Sequence, residues 1–280
     1  MTAGKVPLYL VFGDGWIAGQ IRDILKTGGE SYEVTKVRLE DREAVLSELR
    51  RVQPTHVINA AGVRGTPNVD WCEDHKEETI RANIIGATNV VDCCFLLGIH
   101  VTHFSSGCIY DYDDAHPPGG KGYTEEEEPN FFRSFYSNTK IISEKAIKHY
   151  PNVLILRIRN PLSGDLHPKN TVTKLFGFKK LIDVPNSGTI CPNLLPGAII
   201  LAKNGETGLY NFAYLVHRVT DQPRGIYTQR SNGIDQEAPP SIPELVHVLA
   251  GRAGQDSQGT SVQPRDGFLE GCAEAANIWV

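Results

Sequence analysis

A turn reading Gly13-Asp14-Gly15-Trp16-Ile17-Ala18 joins an apolar run, Leu8-Tyr9-Leu10-Val11-Phe12, to a segment with helical periodicity. Between a strand and a helix, such glycines permit a tight turn and let backbone approach a phosphate closely. The helix N-terminus that follows attracts a pyrophosphate. The turn therefore predicts a dinucleotide site at the start of the chain, with Gly13, Asp14, Gly15, Trp16 and Ile17 as candidate contacts.

The rest of the N-terminal half keeps that rhythm. Helical patterns cover 16–25, ended by Gly28-Gly29, then 41–51, 76–97 and 136–150. Strand-like runs cover 32–38, 55–59, 101–105 and 153–158. Strands alternating with helices at this spacing predict an α/β fold with a parallel, doubly wound sheet of Rossmann type. From about Pro161 the rhythm breaks into short apolar pieces rich in Pro, Gly and Asn, with one more strand expected over 208–212. The expected organisation is a cofactor-binding domain over 1–160 and a small C-terminal substrate lobe over 161–232. Residues 233–280 read as a poorly ordered tail, apart from a helical island near 242–249.

Composition narrows the functional classes. With 280 residues, 40% hydrophobic and 22% charged, the chain is an ordinary globular one. A net charge of -5 gives no electrostatic case for nucleic acid or an anionic membrane. No apolar run approaches the roughly 20 residues of a membrane span. Met1 to Lys5 leads directly into the first strand, which predicts no signal peptide and a cytoplasmic location. The cysteines at 72, 93, 94, 108, 191 and 272 form no C-x-x-C pair, so no metal site is expected and free thiols in a reducing compartment are.

Chemistry concentrates in Ser105-Ser106-Gly107-Cys108 and in Tyr136-Ser137-Asn138-Thr139-Lys140. Tyr136 and Lys140 stand i,i+4 and share a helix face. A phenol has a pKa of about 10, and a neighbouring ammonium lowers it. With Ser106 holding a carbonyl against the phenol, the set suits proton transfer to a carbonyl oxygen while hydride reaches its carbon. The alternative for the pair alone is a packed tyrosine beside a solvated lysine. Ala60, Ala61 and Gly62 follow the third strand, where small side chains let a cofactor ribose lie close. Beyond the second strand, Lys36 or Arg38 can pair a 2′-phosphate, which points to NADPH. Glu40-Asp41 leaves NADH open through Asp41, and both cations also read as solvated surface charges.

Several motifs resemble the extended short-chain dehydrogenase/reductase superfamily. They are Asn59-Ala60-Ala61-Gly62-Val63, Pro67-Asn68-Val69-Asp70-Trp71-Cys72-Glu73, Gly107-Cys108-Ile109-Tyr110 and Pro129-Asn130-Phe131, followed by Ser134-Phe135-Tyr136-Ser137. Within that superfamily they look like the nucleotide-rhamnose synthase/epimerase-reductase branch. The likeness covers roughly 6–212, and nothing in 213–280 resembles the segments with which that branch completes its substrate lobe.

The resemblance implies NADPH-dependent 3,5-epimerisation and 4-reduction of UDP-4-keto-6-deoxyglucose to UDP-rhamnose. Ser106, Tyr136 and Lys140 would serve reduction, with Tyr136 and Lys140 also touching the cofactor. Cys108 and Lys174 would be the acid/base pair of epimerisation. Val63, Asn68, Asp70, Trp71, Ser106, Cys108 and Asn160 would face the sugar nucleotide. A separate 4,6-dehydratase supplying the keto sugar and a homodimeric assembly are compatible with it. Two alternatives stand beside it: a 4-keto reductase without epimerase activity, and a cofactor-binding regulatory subunit of the same fold.

Overall fold

The computed structural model describes residues 6–118, 120–177 and 186–216. They form two compact units. One draws on 6–111, 125–158 and 195–211, the other on the described parts of 112–124, 159–194 and 212–216. The expected tail over 233–280, its helical island and most of 213–232 lie outside the described residues.

The first unit is built on β1 (Leu8–Phe12), β2 (Ser31–Thr35), β3 (His56–Asn59), β4 (His100–Ser106), β5 (Val153–Ile158) and β7 (Gly208–Asn211). These pair in parallel in the order β2-β1-β3-β4-β5-β7. Central strands covered on both faces should be apolar without alternation, as β1 is throughout, whereas β4 buries Thr102, His103, Ser105 and Ser106 toward its carboxyl end. In β1, Leu10 and Phe12 join a core cluster with Val45 and Leu49 of α2 (Arg42–Val52) and Val90, Cys93 and Cys94 of α5 (Gly86–Leu96). Tyr9 and Val11 point to the opposite face and are just as buried. Edge strand β2 is largely exposed.

The chain runs from β1 outward to β2 and then crosses to β3, so strand order reverses between β1 and β3. In open α/β sheets that reversal leaves a crevice beyond the carboxyl ends of the two strands, where ligands bind. Here those ends carry Gly13-Asp14-Gly15, which leads into α1 (Trp16–Thr27), and Ala60-Ala61-Gly62.

Helix boundaries follow local chemistry. Asp41 caps α2 by accepting from the Ala44 N–H at 3.0 Å, and Ser134 caps α6 (Phe135–Ile147) through the Ser137 N–H at 3.5 Å. The helix expected unbroken over 76–97 is instead α4 (Lys76–Ile80), a π-helical turn (Arg81–Ile85) and α5. Before it, α3 (Trp71–Asp74) ends the long loop after β3.

The second unit holds α7 (Thr171–Gly177), β6 (Asn186–Gly188), the start of α8 (Cys191–Lys203) and β8 (Tyr214–Val216), with β6 and β8 antiparallel. Residues of α8 from 195 onward belong to the sheet unit. Among the described residues no helix is long and apolar enough to cross a membrane.

Candidate active site

Gly13 has φ +109°, and a Cβ there would lie 2.9 Å from the Ala60 carbonyl carbon and oxygen and the Ala61 nitrogen. Only glycine fits, and its fit seats the first turn directly on the end of β3. A Cβ on Gly15 would meet no atom within 4 Å, so this side of the turn is open. Helix α1 begins there with no side-chain cap and no acidic residue in its first turn. Uncapped N–H groups and a positive helix end suit an anion. Asp14 turns outward and pairs with Arg22 at 3.4 Å, while Trp16 and Ile17 are half-buried in the first turn of α1.

Lys36 and Arg38 are exposed just past β2, whose last residue, Thr35, sits beside Phe12. They emerge next to the glycine turn. Arg38 pairs with Glu40 at 2.8 Å on the surface, a contact worth well under about 1 kcal/mol. Asp41 is committed to the α2 cap described above.

The loop after β3 is held from two sides. Ala61 donates to Asn59 Oδ1 at 3.1 Å, and buried Asn59 meets His103 Nδ1 at 2.9 Å. Val63 is clamped by Asn83 of the π-helical turn: its N–H donates to Oδ1 at 2.8 Å, and Nδ2 donates to its carbonyl at 2.7 Å. Asn83 also donates to Thr139 Oγ1 at 3.3 Å, and Thr139 donates to the Tyr136 carbonyl at 2.7 Å. One amide thus ties the loop to the helix of Tyr136. The π turn is what aims it, as such turns commonly do at functional sites. Nothing local in Arg81-Ala82-Asn83 announces this role.

Ser106 ends β4 and is buried; its Oγ accepts from the Cys108 N–H at 3.1 Å. The Cys108 carbonyl accepts from Ser137 Oγ at 2.6 Å, which fixes the turn after β4 to α6 one residue from Tyr136. The Tyr136 phenol is hydrogen-bonded to Ser106 and lies in the field of Cys108 and Arg64. The Lys140 amine is 3.4 Å from where a Cβ on Gly62 would sit. Ser106, Cys108, Tyr136 and Lys140 therefore converge at the carboxyl end of the sheet, alongside the Ala60-Ala61-Gly62 turn.

The electrostatics correct one expectation. Lys140 does not bring the phenol down. Burial pushes Tyr136 well above the ordinary tyrosine range, with nearby Cys108 adding to it and the Ser106 hydrogen bond and Arg64 opposing. Burial also brings Lys140 down to about 8, with Glu144 opposing. Desolvation penalises each charged form more than their mutual attraction rewards it.

On the expected substrate side, exposed Asn68 and Asp70 bond to each other, Nδ2 to Oδ2 at 2.9 Å and the Asp70 N–H to Oδ1 at 3.0 Å. Trp71 stacks on His75 with ring centroids 3.7 Å apart. Lys174 and Asn160 belong to the second unit. The Lys174 N–H donates to the Asn170 carbonyl, just before α7, at 3.2 Å. Asn160 has φ +39° and donates to the Ser187 carbonyl at 3.0 Å.

A family model described as RmlD substrate binding domain matches residues 8–180. A bifunctional dTDP-4-dehydrorhamnose 3,5-epimerase/dTDP-4-dehydrorhamnose reductase of Arabidopsis thaliana is 46% identical over 207 residues, covering 73% of this chain and 69% of that protein. A trifunctional UDP-glucose 4,6-dehydratase/UDP-4-keto-6-deoxy-D-glucose 3,5-epimerase/UDP-4-keto-L-rhamnose-reductase of the same plant is 48% identical over 207 residues. The chain spans 31% of that longer protein's length. Among solved structures, a UDP-rhamnose synthase from Acanthamoeba polyphaga mimivirus superimposes with a TM-score of 0.71 at 31% identity, covering 75% of this chain and 76% of that one. The matched segment contains the glycine turn, the Ser106–Cys108 turn and the Tyr136–Lys140 helix, and on it the chain belongs to the RmlD substrate binding domain family.

Proposed function

We propose that this chain is an NADPH-dependent reductase of a nucleotide-linked 4-keto-6-deoxyhexose, with UDP-4-keto-6-deoxyglucose as the substrate to test first. The observation that carries the reading is the convergence of Ser106, Tyr136 and Lys140 beside the Ala60-Ala61-Gly62 turn, on which the glycine loop is seated. The relatives' names point to the same reaction class.

The residues fit the cofactor. Gly13 and Gly15 leave the uncapped α1 N-terminus open to a pyrophosphate, and Lys36 and Arg38, exposed past β2, are assigned to a 2′-phosphate. NADH remains the alternative donor. When bound, the nicotinamide supplies hydride to C4 of the sugar. Ser106 holds the C4 oxygen. Tyr136, kept protonated by burial, is in the correct state to donate a proton to that oxygen. Lys140 holds ribose hydroxyls.

Epimerisation is the finer reading. Protons at C3 and C5 are acidic because each is alpha to the C4 ketone, and Cys108 is a half-exposed thiol beside Tyr136. We assign Cys108 as one acid/base group and carry Lys174 as its partner on resemblance alone. Residues 1–160 are assigned to the cofactor and 161–232 to the sugar nucleotide, with Val63, Asn68, Asp70, Trp71 and Asn160 as substrate contacts. A 4,6-dehydratase would supply the keto sugar.

The test is NADPH consumption with UDP-4-keto-6-deoxyglucose, with products separated by chromatography. Formation of UDP-rhamnose is expected and establishes both half-reactions. A product reduced at C4 with C3 and C5 unchanged would restrict the chain to reduction. No consumption, with NADPH still quenching tryptophan fluorescence, would overturn the enzymatic reading in favour of a cofactor-binding subunit.

A further inference from the structure

Directly beneath the candidate reaction centre lies a buried ion pair that the proposed chemistry does not use. Glu144 follows Tyr136 and Lys140 by four-residue steps, so the three share one stripe of α6. Its carboxylate is 3% exposed and accepts from Ser105 Oγ at 3.0 Å and from Arg157 Nε at 3.0 Å, with Arg157 Nη2 closing a second bond to it. Arg157, on β5, is 2% exposed. Its Nη1 donates to Tyr110 Oη at 2.8 Å and to Asn211 Oδ1 of β7 at 3.4 Å. Tyr110 in turn donates to the Glu127 carbonyl at 2.7 Å.

Three residues of this network are close in the chain to a reaction-centre group. Ser105 precedes Ser106, Tyr110 stands two residues after Cys108, and Glu144 is one turn from Lys140. A buried ion pair adds little net stability, because desolvating two charges offsets most of their attraction. What such a pair supplies is a single geometry, since the guanidinium fork binds a carboxylate only in one plane. We propose that Glu144 and Arg157 are positioning residues that fix the Tyr136/Lys140 face of α6 against the Ser106–Cys108 turn. The functional consequence rests on the proposed reductase reading, but the electrostatic influence of Glu144 on Lys140 does not.

The groups facing Lys140 are few. Glu144 and Tyr136 are on its own helix, and the neutral Asn83 and Gly62 lie on the π turn and the β3 loop. From β4 comes His103, which burial keeps neutral with a pKa lowered to about 3. Among the described residues, Glu144 is therefore the anion that acts on the ammonium.

The experiment replaces both charges at once, E144M/R157L, so that neither is left buried alone. Three quantities are read: thermal midpoint, Lys140 titration by 13Cε shifts in lysine-labelled protein assigned with K140R, and steady-state kinetics. We expect an unchanged or higher thermal midpoint, a Lys140 midpoint moved to lower pH, and kcat down about 10- to 100-fold with NADPH affinity kept. Wild-type kcat together with an unmoved Lys140 midpoint would overturn the proposal. If the double variant does not fold, R157K decides, because it keeps the charge but not the fork to Glu144 and Tyr110: reduced kcat supports the clamp and wild-type kcat removes it. If the wild type itself does not reduce the keto sugar, the reductase reading fails, and the Lys140 midpoint alone decides whether the pair acts on the centre.

Discussion

Cys108 differs from every other cysteine among the described residues. Cys72, Cys93, Cys94 and Cys191 are fully buried, and burial pushes the thiols of the first three up. Cys108 alone is half-exposed, its backbone bonded to Ser106 and Ser137, its thiol next to the Tyr136 phenol. A half-exposed thiol beside a phenol can give and take a proton as a general acid or base. Cys108→Ala is expected to abolish solvent deuterium incorporation at C3 and C5 of the keto sugar while leaving NADPH affinity unchanged. Undiminished exchange, followed by mass spectrometry, would take Cys108 out of the chemistry. Tyr136 and Lys140 teach a related lesson at this scale. Their spacing is plain in the sequence, yet the direction of each titration follows from burial, which spacing does not encode.

The decisive elements are short turns. The β1–α1 turn works because Gly13 adopts φ +109° and packs on the Ala60 carbonyl. Gly13→Ala forces a Cβ into backbone that has nowhere to go. We expect a loss of about 1–3 kcal/mol in urea unfolding and NADPH affinity reduced at least about tenfold through a displaced α1 N-terminus. Wild-type affinity in a fluorescence titration would show that the turn does not set the cofactor site. The π-helical turn at Arg81–Ile85 acts in the same way on the other side of the crevice, aiming Asn83 at Val63 and Thr139. Gly86 closes that turn with its N–H donating to the Arg81 carbonyl, but Arg81–Ile85 itself reads as plain helix. The extra residue is tolerated because tertiary hydrogen bonds reward it.

Across the whole sheet, three histidines sit where protonation is penalised. His103 of β4 is 1% exposed, with burial and the Lys140 charge lowering its pKa to about 3. His56 and His100 pair across β3 and β4 with rings 5.4 Å apart. Burial and the neighbouring His100 lower His56 to about 4, and burial lowers His100 as well. An unfolded chain protonates each near pH 6.5 while the folded chain does not, so acid favours unfolding. Stability from this source is complete above about pH 6.5 and declines as pH falls toward about 4, by up to ~1.4 kcal/mol per pH unit per histidine. Urea unfolding at pH 7, 6 and 5 measures it, and equal stabilities at all three would refute it.

The architecture was legible because it rests on patterns the chain carries locally. β1 and β5 stand where their apolar runs predict, and the other strands of the parallel sheet fall within a few residues. The glycine turn, Ser106, Cys108, Tyr136 and Lys140 stood out for the same reason: each is a short motif with a fixed spacing. The groups that organise them were not legible. Asn83 has no distinguishing neighbours in the chain, Ser137 and Thr139 lie inside the Tyr136–Lys140 motif with partners it does not announce, and Glu144 finds Arg157 only where α6 crosses β5. Even there, the four-residue step from Lys140 to Glu144 was readable, but not the partner that makes it matter. Periodicity and turn chemistry act over a few residues, so they specify strands, helices and the order of the sheet. Burial, protonation and the clamps around the reaction centre depend on atoms brought together from distant segments, and folding alone assembles those.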